Sequence, residues 1–207
     1  MKRITALVGD YWHRGDMIKE ALTKAAETVG GIALAFVEHG ELAENLKGNP
    51  DAVVLFKQNP LNAPNEPFDP WMSAEIEAAI LAYVESGGRW LAWHTGLAGY
   101  DKDSAYVGML RGRFVHHPDM KAVAYTRAAD GAEVVTLHDE HYFVEVDERG
   151  TEVYLRSKSA DGESLAGWAH AYGKGKVCCL TPAHTREALL DDGFQALLAE
   201  RLRLLLA

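Results

Sequence analysis

Arg89-Trp90-Leu91-Ala92-Trp93-His94-Thr95-Gly96 is the stretch whose reading decides the fold. An apolar run leads straight into a histidine, a threonine and a glycine. A helical pattern ends just upstream, at Ser86-Gly87-Gly88. Strand, sharp turn and small residue is the layout of a nucleophile elbow. Such a turn lifts one side chain above the carboxyl end of a sheet strand, where ligands bind in open α/β sheets. Here the lifted residue is His94, which can ligate a metal or transfer a proton near neutral pH. The turn therefore marks a site, but not one for acyl-enzyme chemistry through serine or cysteine.

Outward from that turn, strand-like runs alternate with helical ones. Ile4 to Val8 is an apolar run. Met17, Ile18, Ala21, Leu22 and Ala25 then recur at helical spacing, and Gly30-Gly31 ends the pattern. Ile32 to Val37 and Ala52 to Phe56 read as the second and third strands. The loop carrying Pro60, Pro64, Pro67 and Pro70 is too proline-rich for helix or central strand. A helix from about Ser73 to Glu85 has Ile76, Ile80, Leu81 and Val84 on one face, and Arg89 to Trp93 is the fourth strand. Strands apolar on both faces with intervening helices predict a parallel sheet covered by helices.

Beyond His94 the pattern changes. Tyr106 to Leu110 reads as a short helix end, and Val123 to Thr126, Glu133 to Leu137 and Val153 to Arg156 as shorter, more exposed strands. Leu165 to Tyr172 and Lys176 to Leu180 flank Gly173 to Gly175 as a hairpin. Phe194, Leu197, Leu198, Leu202 and Leu205 predict a covering helix at the C-terminus. No repeat or linker breaks the chain, so residues 1–207 are expected to form one domain.

Composition narrows the function. The 207 residues are 48% hydrophobic and 25% charged, ordinary for a globular protein. A net charge of -9 with no Lys/Arg stretch argues against a nucleic-acid partner. Gly173-Lys174-Gly175-Lys176 lacks the spacing and the Ser/Thr of a phosphate loop. No apolar run is long enough to span a bilayer. Met1-Lys2-Arg3-Ile4 enters a strand with no cleavable signal pattern, so a cytoplasmic location and no membrane partner are expected. Cys178 and Cys179, the only cysteines, lie in an apolar strand and read as packing residues.

Three histidines share one place in this architecture. His13 follows the first strand, His94 the fourth, and His184 the late strand ending at Leu180. If those strands are parallel neighbours, all three gather at one edge of the sheet. Each alone could simply cap a strand or bond a loop carbonyl. His116-His117-Pro118 is a second cluster, in which proline holds His117 extended and can aim it away from the backbone. The third is His138-Asp139-Glu140-His141-Tyr142, with metal-type and acid/base-type side chains. It departs from the helical zinc-protease motif, and Glu140 and Tyr142 are expected to face the site. Trp12, Trp71, Trp93, Trp168, Tyr11 and Tyr100 supply aromatic faces suited to sugar rings, with core packing as the plainer alternative.

Taken in order, these pieces resemble the ThuA-like (trehalose utilisation) family. The resemblance runs through His13, Gly87-Gly88 before Leu91-Ala92-Trp93-His94, and Leu110-Arg111-Gly112-Arg113-Phe114 ending in His117-Pro118. It continues through Asp139-Glu140-His141-Tyr142, Gly167-Trp168 and Tyr172-Gly173-Lys174-Gly175-Lys176-Val177, and closes at His184. Two departures stand out. Arg111-Gly112 replaces the family's more usual pair of glycines, and Pro182-Ala183-His184 its more usual Leu-Gly-His. The resemblance implies the fold of the class I glutamine amidotransferases: a flavodoxin-like three-layer α/β sandwich, its sheet mostly parallel with helices on both faces and a small antiparallel extension. It also implies that His94 stands where an amidotransferase has its cysteine, which excludes glutamine hydrolysis through a thiolate. The implied biology is disaccharide breakdown, including routes through 3-keto sugars.

These observations lead to the expectation of a carbohydrate-active enzyme with His94, Glu140 and His184 as catalytic groups. Trp12, Trp93, Tyr100, Tyr142 and Trp168 are the expected substrate contacts. His13, His94, His117 and His184 are the expected ligands of a divalent metal such as zinc or manganese. A non-catalytic sugar-binding or regulatory protein, and a metal-dependent hydrolase of another small substrate, are the alternatives. No Gly-rich fingerprint follows the first strand, so NAD is not expected, and neither is flavin. Apolar helices covering a sheet often pair, which makes a homo-oligomer an expectation.

Overall fold

A computed structural model describes residues Met1–Ala207. Its elements follow in chain order. The first half comprises β1 (Lys2–Val8), α1 (Gly15–Val29), β2 (Ile32–Phe36), α2 (Leu42–Lys47), β3 (Ala52–Phe56), α3 (Ala74–Glu85), β4 (Arg89–Trp93) and α4 (Ala105–Leu110). The second comprises β5 (Gly112–His116), β6 (Lys121–Arg127), β7 (Glu133–Asp139), β8 (Phe143–Val146), β9 (Glu152–Ser159), β10 (Gly162–Tyr172), β11 (Gly175–Leu180), α5 (Arg186–Leu190) and α6 (Asp192–Leu206).

Nine strands form one sheet in the order β2-β1-β3-β4-β11-β10-β9-β6-β7. The pairings from β2 through β11 are parallel, and those from β11 to β7 are antiparallel. This is the helix-covered, mostly parallel core with an antiparallel extension that the sequence pattern predicts. β5 and β8 pair apart from it as a two-stranded ribbon. That ribbon, α2 and α5 are short and weakly patterned, and periodicity did not reveal them.

Alternation along the strands divides the core in two. On β3, Ala52, Val54 and Phe56 face one side, where they pack with Ile18 and Leu22 of α1 and Phe194 and Leu198 of α6. Val53 and Leu55 face the other, with Leu42, Ile80 and Tyr106 from α2, α3 and α4. β4 repeats this: Leu91 and Trp93 lie in the first cluster, Trp90 and Ala92 in the second. A strand buried on both faces must be apolar at every position, which is why Trp90-Leu91-Ala92-Trp93 has no polar residue. Helix ends follow local chemistry. Ser73 caps α3 by accepting from the Ile76 N–H, Asp191 caps α6, and α1 stops at Gly30, whose φ is +75°. No helix is long and apolar enough to cross a membrane.

Candidate metal centre

β1, β4 and β11 lie within one run of parallel strands, so their carboxyl ends open at the same edge of the sheet. His13, His94 and His184 leave those ends and meet there, as their positions in the sequence predict. At the end of β4 the chain turns abruptly. His94 adopts a φ of +49°, a left-handed conformation uncommon for a side chain bearing Cβ. Gly96 follows, and a Cβ there would lie 2.3 Å from the Leu55 carbonyl oxygen, so the turn is pressed against β3.

Each histidine is held by its other nitrogen or its backbone. His94 is fully buried, and its Nδ1–H donates to the Thr181 carbonyl at 2.6 Å. That bond leaves the lone pair on Nε2, which is buried and has no hydrogen-bond partner. His13 Nδ1–H donates to Asp10 Oδ1 at 2.7 Å, so its Nε2 is also a lone pair. Asp10 in turn accepts the N–H groups of Trp12, His13 and Gln58, tying the first loop to the end of β3. Burial alone would raise the pKa of Asp10. The hydrogen bond and charge of His13 outweigh it, with help from Thr95, and lower it to about 2. His184 is fixed through its main chain: Asp139 accepts the N–H of His184 at 2.9 Å and of Ala183 at 2.7 Å.

The rings converge on Glu140, just beyond β7. Glu140 Oε2 lies 3.3 Å from His184 Nδ1 and 3.5 Å from His94 Nε2, and His13 Nε2 lies 2.8 Å from His184 Nδ1. One ligand atom from each of His13, His94, Glu140 and His184 falls within 4.8 Å of all the others. Burial pushes the Glu140 pKa up, but the neighbouring His184 and His94 imidazoles take it well below the usual carboxylate range. Burial lowers His13, partly offset by Asp10, while Glu140 raises His184 against the effect of burial.

This arrangement can hold a divalent cation. Three imidazole nitrogens and a carboxylate are a donor set for zinc, manganese and similar ions. Asp10 behind His13 and the Thr181 carbonyl behind His94 are the outer partners that orient metal-ligating imidazoles. His117 is not one of the four. Its Nε2 stands 3.6 Å from the outer oxygen, Glu140 Oε1, and the residue lines the adjacent cavity.

That cavity has a volume of about 490 Å³, within the range of small-molecule sites. Of the aromatic residues expected to contact substrate, Trp12 and Tyr142 line it; Trp12 is 56% exposed at its edge, and the Tyr142 ring stacks on His94 at 4.1 Å. Trp93, Tyr100 and Trp168 are corrections. Trp93 points into the first core cluster and donates from Nε1 to the Pro182 carbonyl. Trp168 is buried in the second and donates to Leu110, and Tyr100 is buried with its hydroxyl on the Lys57 carbonyl. None of the three reaches the cavity. Gln58, Thr95 and Phe114 also line it; Thr95 and Phe114 stand in stretches the sequence reading quotes, but none of the three was expected to contact substrate. Asp139 stood within a conspicuous motif, but its grip on the His184 loop is legible only in three dimensions.

The family model for trehalose utilisation, ThuA, matches residues 7–203. The chain belongs to the ThuA family. Three solved structures share its fold. A ThuA-like protein from Parabacteroides merdae ATCC 43184 is 14% identical, with a TM-score of 0.74 over 100% of this chain and 90% of that one. A ThuA-like protein from Bacteroides uniformis ATCC 8492 is 17% identical, with a TM-score of 0.70 over 97% and 90% of the two chains. A cytoplasmic protein from Salmonella typhimurium LT2 is 14% identical, with a TM-score of 0.69 over 98% and 99%. No curated protein matches the chain. Membership of the ThuA family gives it a carbohydrate-related setting, and the cluster is the chemistry found at its strand ends.

Proposed function

We propose that this ThuA-family chain is a carbohydrate-active enzyme that uses a divalent metal held by His13, His94, Glu140 and His184. Its substrate is a small sugar derived from a disaccharide, of the 3-keto glycoside kind. The observation that carries the reading is His94 Nε2: a buried lone pair without a partner, aimed at a carboxylate and two further imidazoles. A buried acceptor left unsatisfied costs free energy, and a cation among those four atoms would satisfy it.

The metal would supply Lewis-acid polarisation of a sugar carbonyl, which acidifies the adjacent C–H bond. His94 and His184 hold it from fixed strand ends. Glu140 carries one oxygen toward the cluster and the other toward His117. In this reading His117, which lines the cavity beside Glu140 Oε1, takes a proton from substrate or returns it, and its 38% exposed side chain exchanges that proton with solvent. Isomerisation of a keto sugar only moves a proton between the carbon next to the carbonyl and its neighbours. Elimination takes the C2 proton of a 3-keto glycoside, forms the C1=C2 double bond and breaks the C1–O bond, the departing glycosidic oxygen taking up the proton that His117 or solvent returns. Neither reaction needs the thiol that His94 replaces or a hydride carrier.

Elemental analysis of protein purified without an affinity tag or chelator tests the reading. The expected result is near-stoichiometric zinc, manganese or a similar ion, lost in His94→Ala together with turnover of 3-keto-trehalose. A protein that neither contains nor rebinds a divalent ion, or a His94→Ala variant with unchanged turnover, would overturn it. Saturable sugar binding without any product would point instead to a binding protein on the same scaffold.

A further inference from the structure

Imidazoles and a carboxylate engaged on a metal are not free to read the pattern of hydroxyls around a sugar ring. Two other polar side chains on the cavity wall make no hydrogen bond of normal geometry, although Thr95 lies near enough to Asp10 to favour its ionised form. Thr95 directly follows His94 in the turn after β4. It is 2% exposed, and its Oγ1 is buried without a hydrogen-bond partner. Gln58 stands two residues beyond β3, the strand paired with β4. Its main chain is clamped on both sides: the N–H donates to Asp10 Oδ2 at 3.1 Å, and the carbonyl accepts from Trp71 Nε1 at 3.0 Å. The backbone is thus rigid while the side-chain carboxamide makes no hydrogen bond of its own. Both residues line the same cavity as His13, Glu140 and His184.

We propose that Thr95 and Gln58 are the specificity pair of this site, hydrogen-bonding the hydroxyl groups of the sugar ring brought to the metal cluster. The inference rests on the proposed carbohydrate reading and deepens it. A hydroxyl can donate and accept, and a carboxamide offers two donors and an acceptor, so together they can recognise a vicinal pair of sugar oxygens. A pocket built to bond a substrate hydroxyl rejects analogues that lack it, because its own polar groups are then left unpaired. A buried, partnerless hydroxyl beside a rigidly mounted free amide meets that description. Trp12 at the edge and Phe114 on the wall offer the apolar surface that the C–H face of a sugar needs.

Calorimetric titration of metal-loaded protein with glucosyl, galactosyl and mannosyl disaccharides and their 3-keto derivatives is the test. Thr95→Val keeps the shape and removes the hydroxyl, Gln58→Leu removes the amide, and Thr95→Ser restores a hydroxyl. Thr95→Val and Gln58→Leu are each expected to weaken the preferred sugar roughly three- to tenfold, with metal content unchanged and Thr95→Ser close to wild type. Wild-type affinity in both variants would overturn this inference while leaving the carbohydrate reading intact. Loss of metal in Thr95→Val with unchanged sugar affinity would assign the hydroxyl to the neighbouring Asp10–His13 pair and overturn it too. If the wild-type protein binds no sugar of the panel, the carbohydrate reading fails and this inference with it.

Discussion

The backbone N–H of His184 donates to Asp139 Oδ1 at 2.9 Å, although three strands separate β11 from β7 in the sheet order. Asp139 is fully buried; its other oxygen accepts the Ala183 N–H and the Tyr125 hydroxyl. One carboxylate thus fixes the loop that delivers His184. Asp139→Asn keeps the shape but turns an amide NH2 toward one of those donors. Losing a charge-assisted bond there should cost about 2 kcal/mol in urea unfolding. Because the loop carries a ligand, metal affinity should fall roughly 10–100-fold, as for other outer partners. Unchanged metal affinity would show that the carboxylate serves folding alone.

The turn at His94 predicts a second outcome. Gly96 presses so closely on Leu55 that Gly96→Ala cannot be accommodated without moving β4 and β3 apart. Overpacking of this kind costs about 3 kcal/mol. For a chain of this size, that should lower the melting temperature by roughly 6–12 °C. Calorimetric scanning checks it, and a variant melting with the wild type would mean that the turn is not held by this contact.

The tryptophans should separate into two classes. Trp12 is 56% exposed on the cavity edge, so Trp12→Ala should weaken sugar binding roughly three- to tenfold. Its unfolding free energy should stay within about 0.5 kcal/mol of wild type. Trp168 is fully buried, with Nε1 on the Leu110 carbonyl at 2.8 Å. Trp168→Phe should cost about 2 kcal/mol of stability and leave sugar affinity unaltered. Titration and denaturant unfolding of both variants would expose any reversal of this pattern.

At alkaline pH the far end of the sheet becomes the weak point. Burial of Tyr83, whose hydroxyl donates to the Pro50 carbonyl, raises its pKa from 10.0 to about 12. Between those values the unfolded chain has released a proton that the folded chain keeps. The contribution is therefore fully present below pH 10 and is lost as pH rises toward 12. One proton corresponds to a slope of about 1.4 kcal/mol per pH unit. The stability gap between wild type and Tyr83→Phe, followed by urea unfolding from pH 9 to 11, should narrow at about that slope above pH 10. A gap independent of pH would exclude Tyr83 as the titrating group.

The convergence of His13, His94 and His184 was legible because strand ends are counted in sequence, and parallel neighbours share an edge. Trp93 misled for a related reason. As the last residue of β4 it lies next to His94, but strand alternation turns it toward α6, and adjacency in sequence says nothing about which face a ring takes. His117 was read as a ligand with the other histidines. The ribbon of β5 and β8 brings it only to the outer oxygen of Glu140, and that ribbon has no turn signal or apolar run to announce it. Thr95 and Gln58 are ordinary polar residues, distinguished only by where the elbow and the end of β3 place them. The two departures from the family pattern fall where the backbone explains the family's glycines: Arg111 has a φ of +55° and Ala183 of +81°.

His13 and His184 are separated by 171 positions and touch at 2.8 Å. The cluster is consequently a property of the closed chain and of no segment within it. An ion bound there would join the loop after β1 to the loop after β11, and would be released whenever either loop let go. Occupancy would then report on global unfolding directly: each tenfold excess of free ion over its dissociation constant would add about 1.4 kcal/mol to the native state.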